Sequence, residues 1–199
     1  MRAHRYDLVL ASASPRRREL LATLRRPFMV EVPDIDETPA PGESPAAYAR
    51  RAAAEKAAAV AARLQSRGPK AAPRIVIGCD TDVVLDGRIL GKPRDAAEAR
   101  RMLRALSGRR HRVISGLCVL RETRDGAWRE QTAVVITEVR FRRVSRAEIE
   151  AYVASGDPMD KAGAYAIQGG AAGMVAAIRG SYTNVVGLPL AELAAMLPP

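Results

Sequence analysis

A chain of 199 residues, 48% of them apolar, can bury one substantial core, and its apolar runs stop short of the roughly 20 residues a membrane-spanning helix needs. Lysines and arginines (32) outnumber aspartates and glutamates (22), and the net charge of +10 asks for an anionic partner. Aromatics at 4% supply no base-stacking platform for nucleic acid, and two cysteines with two distant histidines, His4 and His111, exclude a four-ligand zinc site. A small phosphorylated ligand is the better match.

The first seven residues contain no apolar signal-peptide segment, so a cytoplasmic location is expected. Tyr6–Leu10 reads as a buried strand. Ser14-Pro15 then starts a helix running to about Arg25, with a hydroxyl cap and proline at the first helical position. Arg16, Arg17 and Arg18 fill its first turn, where the free N–H groups and the helix dipole favour negative charge. A bound phosphate would resolve that conflict; three solvated arginines are the alternative.

Phe28–Val32 reads as a short strand, followed by an acidic loop containing Asp34, Asp36 and Glu37 between prolines. Its carboxylates could ligate a hard cation such as Mg²⁺ or form a solvated turn. Ser44-Pro45 opens an alanine-rich helix to about Gln65, stopped by Gly68-Pro69; Lys56, in its middle, reads as a surface residue when judged alone.

Arg74–Cys79 is a nearly continuous apolar run, as expected of a strand covered on both faces and holding a reduced cysteine. Gly78 and the trio Asp80-Thr81-Asp82 suggest a break there, at the strand end where α/β sheets place ligands, before Val83–Leu85 continues. A carboxylate leaving a buried strand must be paired, metal-bound or protonated, which makes Asp80 the strongest catalytic or metal-ligating candidate. Asp86-Gly87 signals a hairpin, and Lys92 after Gly91 offers a point charge to phosphate.

Asp95-x-x-Glu98 caps a helix ending near Ser107-Gly108, whose Arg100, Arg101 and Arg104 form a solvated face. Segments 112–120 and 132–141, joined near Asp125-Gly126, are expected to pair as an antiparallel hairpin, with Cys118 buried in the first. Ser145-x-x-Glu148 caps another helix, closed by Ser155-Gly156. In the block from Asp160 to Gly170 the glycines suit a loop touching a ligand, Gln168 offers donor and acceptor to a base edge, and Tyr165 reads as packing. Val185–Leu190 leads into a final helix. No repeat or linker divides the chain, so 1–199 reads as a single domain.

Taken in order, Ala11-Ser12-x-Ser14-Pro15-Arg16-Arg17, Asp36-Glu37, Lys56, Gly78-x-Asp80-Thr81, Gly91-Lys92-Pro93, Asp160-Lys161-Ala162-Gly163, Ile167-Gln168-Gly169 and Val186-Gly187-Leu188-Pro189 make the chain resemble the Maf family of nucleotide pyrophosphatases over almost its full length. The resemblance implies an α/β fold of the Maf/ITPase-like kind: a long twisted mixed sheet flanked by helices, two lobes and a central cleft, commonly as a homodimer. It implies metal-dependent cleavage of a nucleoside triphosphate between its α- and β-phosphates, giving a monophosphate and pyrophosphate. By that resemblance Ser12, Arg16, Lys56 and Lys92 hold the triphosphate, and Glu37 and Asp80 hold Mg²⁺ or Mn²⁺. Asp80 also serves as catalytic residue, while Arg17, Thr81 and Gln168 read a pyrimidine. Asp80-Thr81, Arg17 and Gln168 resemble the dTTP/UTP branch; the 7-methyl-GTP branch is the alternative.

Cys79, Asp82 and Ala166 depart from the family pattern, which has a small residue, an apolar residue and a glycine at those positions. Asp82 adds a carboxylate beside the expected metal site. Two other classes stand against an enzyme: a non-catalytic nucleotide-binding regulator of septum formation, and a nucleic-acid-binding module whose binding would fall steeply with salt.

Overall fold

The computed structural model describes residues 7–68 and 74–198. His4, Tyr6 and Pro69 lie outside them. Among the described residues, seven strands form one sheet in the order β2-β1-β3-β5-β6-β7, with β4 paired to β3. Two compact units divide the chain: the first comprises residues 1–80, 115–135 and 187–199, the second 81–114 and 136–186.

In the first unit, β1 (Asp7–Ala11) lies parallel to both β2 (Phe28–Val30) and the start of β3 (Arg74–Leu85), with Ala11 opposite Gly78. Strand alternation sorts the side chains. Leu8, Leu10, Ile75, Ile77 and Cys79 pack on one face with Leu193 of α6 (Leu190–Met196). Val9, Ala11 and Val76 pack on the other with Ala53, Ala57, Val60 and Leu64 of α2 (Pro45–Ser66). Two glycines allow α2 to lie this close. A Cβ on Gly78 would sit 2.1 Å from the Ala53 carbonyl oxygen, and one on Gly116 would sit 1.9 Å from that of Ala49.

Helix caps follow the sequence. Ser14 Oγ accepts from the Arg17 N–H to start α1 (Pro15–Ala22), and Ser44 Oγ accepts from the Ala47 N–H to start α2. Strand β3 corrects an expectation: it runs unbroken through Asp80-Thr81-Asp82 to Leu85. The carboxylate of Asp80 is neutralised where it stands, so the strand need not break to bring it to water.

The second unit contains β4 (Arg88–Leu90), α3 (Ala96–Leu106), α4 (Arg146–Ala154), β7 (Val175–Arg179) and α5 (Tyr182–Val186). It also contains the start of β5 (Arg110–Glu122) and the end of β6 (Trp128–Phe141). The β3–β4 turn is built on Asp86 and Gly87, both at positive φ (51° and 77°), which the Asp-Gly pair signals. Ser145 and Glu148 form a reciprocal capping box. Asp95 caps the Glu98 N–H at 2.7 Å, while Glu98 reaches past it to the Arg94 N–H at 2.9 Å. Strand β7 was not anticipated. It is a five-residue edge strand rich in alanine, recruited by antiparallel pairing with β6 rather than by its own propensity.

Neither cysteine is in a disulfide, and both are buried. Tyr165 packs in the second unit's core, edge-on to Phe141 and His111, and its hydroxyl lies 2.7 Å from His111 Nε2. Among the described residues, no helix is long and apolar enough to cross a membrane.

Candidate active site

Strands β1 and β3 deliver Ser12 and Asp80 just past the point where their parallel pairing ends. Ser12 follows β1 directly and Asp80 lies two residues beyond the Ala11–Gly78 pairing, so both emerge at nearly one level of the sheet. Asp80 faces α2. There Lys56 is corrected from surface residue to buried one: it is 5% exposed, and its burial is tolerated because its ammonium is paired. Lys56 Nζ donates to Asp80 Oδ1 at 2.6 Å and to Glu37 Oε2 at 2.8 Å. The Asp80 side chain is 8% exposed and that of Glu37 55%, so one ammonium links a buried carboxylate to a surface one.

The loop that brings Glu37 here is clamped by residues the sequence reading did not single out. Tyr48 of α2, 4% exposed, donates its hydroxyl to the Glu37 carbonyl oxygen at 2.7 Å. One turn on, Arg51 donates to the Thr38 carbonyl at 3.1 Å and holds both Glu43 carboxylate oxygens at 2.8 and 2.7 Å. This guanidinium keeps the Glu43 carboxyl down at about 2, and Glu43 in turn accepts from the Ala40 N–H. Asp36 turns away from Lys56 and closes a local turn, accepting from the Thr38 N–H and hydroxyl at 3.0 and 2.6 Å. The signal was present in spacing: Tyr48, Arg51 and Lys56 recur at helical intervals, but only the fold shows which loop they face.

At the α1 start, Ser12 Oγ accepts from the Ser14 N–H at 3.1 Å and from Arg17 Nη1 at 3.3 Å. Arg17 Nε donates to the Gly187 carbonyl at 2.9 Å, so this arginine fastens the Ser12–Ser14 loop to residue 187. Arg16 is half-buried and makes no ion pair or hydrogen bond among the described residues, and the first turn holds no acidic residue. A helix start of this composition suits an oxyanion.

Thr81, Lys92 and Gln168 belong to the second unit. Thr81 is half-buried on β3; Lys92 and Gln168 are exposed on loops. The Gly163 N–H donates to the Gly91 carbonyl at 3.0 Å, tying the segment before Gln168 to the residue before Lys92. Gly163 sits at φ 66°, and a Cβ there would meet Val83 at 2.8 Å. Asp82, two residues from Asp80 on β3, is 7% exposed.

Among the described residues, no group of three or more His, Cys, Asp or Glu side chains is arranged to hold a metal ion. Glu37 and Asp80 still fit a hard divalent cation of the Mg²⁺ type. Both are oxygen donors, they already converge on one positive centre, and each keeps one carboxylate oxygen without a hydrogen bond among the described residues. Such an ion commonly takes one or two carboxylates and fills its remaining positions with water and phosphate.

An α/β protein with cationic and carboxylate groups gathered where the parallel pairing of β1 and β3 ends is thus the class defined by fold and site. The profile of the Maf-like protein family matches residues 7–198, and the chain belongs to that family. It is 54% identical over 190 residues to a dTTP/UTP pyrophosphatase of Anaeromyxobacter dehalogenans, covering 96% of this chain and 92% of the relative. It is 55% identical over 186 residues to one of Geobacter metallireducens, covering 94% and 92%. Among solved structures, a HAM1 protein from Coxiella burnetii aligns with a TM-score of 0.44 at 21% identity, over 71% of this chain and 75% of that one.

Proposed function

We propose that this protein is a metal-dependent nucleoside triphosphate pyrophosphatase that hydrolyses dTTP and UTP between the α- and β-phosphates, releasing a monophosphate and pyrophosphate. The observation that carries the reading is the Glu37–Lys56–Asp80 cluster in a chain more than half identical to two dTTP/UTP pyrophosphatases. Breaking a phosphoanhydride requires neutralised phosphate charge and a positioned water, and these residues supply both.

The α1 start receives phosphate oxygens through Ser12 and through Arg16, which makes no ion pair among the described residues. Lys56 adds a desolvated positive charge beside them. Glu37 and Asp80 would hold the divalent cation, Mg²⁺ or Mn²⁺, which when bound supplies charge neutralisation and lowers the pKa of a coordinated water. Asp80 Oδ2, without a hydrogen bond among the described residues, takes the proton of the attacking water. Roles for Lys92 on phosphate and for Thr81, Arg17 and Gln168 on the pyrimidine, taken from the resemblance, belong to this proposal. Arg17 would serve it as the residue that shapes the Ser12–Ser14 loop.

Pyrophosphate release from dTTP, UTP, CTP, GTP and 7-methyl-GTP with Mg²⁺ or Mn²⁺ tests the reading. Turnover of dTTP and UTP, lowered about 10²–10⁴-fold by Asp80→Asn as for a lost general base, is expected. Preference for 7-methyl-GTP would overturn the substrate assignment, and turnover unaffected by D80N would overturn the role of Asp80.

A further inference from the structure

The positive charge that Glu37 and Asp80 share comes from the chain itself. Lys56 Nζ lies 2.8 Å from one carboxylate and 2.6 Å from the other, and the lysine side chain is 6% exposed. A divalent ion and an ammonium cannot both occupy the position where these oxygens converge. Two carboxylates and one ammonium leave a net charge of −1, a weak attraction for a dication that must shed water to enter. Lysine suits a group that must leave such a position, being a compact charge on a flexible four-carbon stem. A triphosphate offers that ammonium other acceptors and brings negative charge of its own.

We infer that Lys56 is the resident counter-ion of the carboxylate pair and excludes the divalent cation until nucleotide phosphates draw it away. Nucleotide and metal then enter together, and metal alone binds weakly. This rests on Glu37 and Asp80 being the metal ligands, as proposed above. The protein holds its carboxylate pair partly neutralised when no substrate is present, and the same lysine that guards the carboxylates becomes a phosphate ligand.

Mn²⁺ titration without nucleotide, with free Mn²⁺ read by electron paramagnetic resonance, tests this on the full chain. Lys56→Gln should bind Mn²⁺ about tenfold or more tightly than wild type, the least expected from removing a desolvated competing charge. Lys56→Arg, which keeps a cation, should bind as weakly as wild type. Equal affinity in K56Q and wild type would overturn the inference while leaving the metal ligands standing. A second measurement needs no variant: amine-reactive labelling of wild-type Lys56, read by mass spectrometry, should speed up when Mn²⁺ is raised to saturation. Labelling unchanged with Mn²⁺ bound would overturn the inference. Absence of Mn²⁺ binding with or without a non-hydrolysable dUTP analogue, together with metal-independent pyrophosphate release, would overturn the metal reading itself.

Discussion

Replacing Gly78 by alanine connects packing to chemistry through a single methyl group. The new Cβ would lie 2.1 Å from the Ala53 carbonyl oxygen and 3.0 Å from both the backbone nitrogen and the Cβ of Ala57. Cβ contacts below 3.0 Å essentially do not occur, so α2 must retreat from β3 by roughly 1 Å. Ala53 is one turn from Lys56, and Lys56 reaches across the same interface to Asp80 at 2.6 Å. Overpacking of this kind costs about 1–3 kcal/mol, which in a chain of this size lowers Tm by roughly 2–12 °C. A ~1 Å displacement of a catalytic group can reduce rate by about 10²-fold, so kcat/KM should fall further than stability alone explains at temperatures where the variant is folded. Differential scanning calorimetry and steady-state pyrophosphate release measure the two effects. Gly173→Ala is the control, since nothing lies within 4 Å of a Cβ there, and it should change stability by no more than about 0.5 kcal/mol. A Gly78→Ala protein with wild-type Tm and wild-type kcat/KM would refute the argument.

Tyr48→Phe removes the donor to the Glu37 carbonyl and should destabilise the protein by about 0.5–1.5 kcal/mol. In the same variant kcat should fall with KM for nucleotide little changed, because Glu37 is misplaced while Ser12 and Arg16 are untouched; steady-state kinetics check the split. Burial pushes His111 down to about 4 from 6.5, so the folded state resists its protonation. Its contribution is fully present above pH 6.5 and is lost as pH falls toward 4, amounting to about 3 kcal/mol over that window. Tm of the wild type should therefore drop between pH 7 and 5, and His111→Phe should flatten that drop. The range stays clear of Glu43 and Glu148, whose lowered pKa values near 2 make their stabilisation disappear only below 4.5.

Local chemistry made much of this fold legible. Serine before proline at 14–15 and 44–45, serine with glutamate at 145 and 148, and Asp86-Gly87 each specify a backbone event within a few residues, and each event is found. Strand β7 could not be read this way, since Val175–Arg179 becomes a strand only because β6 offers it a partner. The unbroken course of β3 past Asp80 was hidden for a related reason. Whether a strand tolerates a buried carboxylate depends on a lysine 24 residues earlier in the chain. In the site, the residue types that carry charge were evident, while Tyr48 and Arg51, which aim Glu37, were not. They grip the Glu37–Thr38 segment through main-chain oxygens, and a carbonyl leaves no mark in a sequence.

The fastening of the α1 loop sets an order of events during synthesis. Ser12, Arg17, Glu37, Lys56 and Asp80 are all made within the first 80 residues, yet Arg17 is held by the carbonyl of Gly187, 170 positions later. Arg26 is likewise bound by Pro198 and Arg121 by Met196, and Leu193 completes the apolar face beneath β1 and β3. A nascent chain therefore carries Ser12, Arg17, Glu37, Lys56 and Asp80 long before the carbonyl that fixes Arg17 is made. Closing contacts so distant in sequence is slow. The α1 loop thus waits for residue 187 to be made before Arg17 can be fastened, however early its own residues appear.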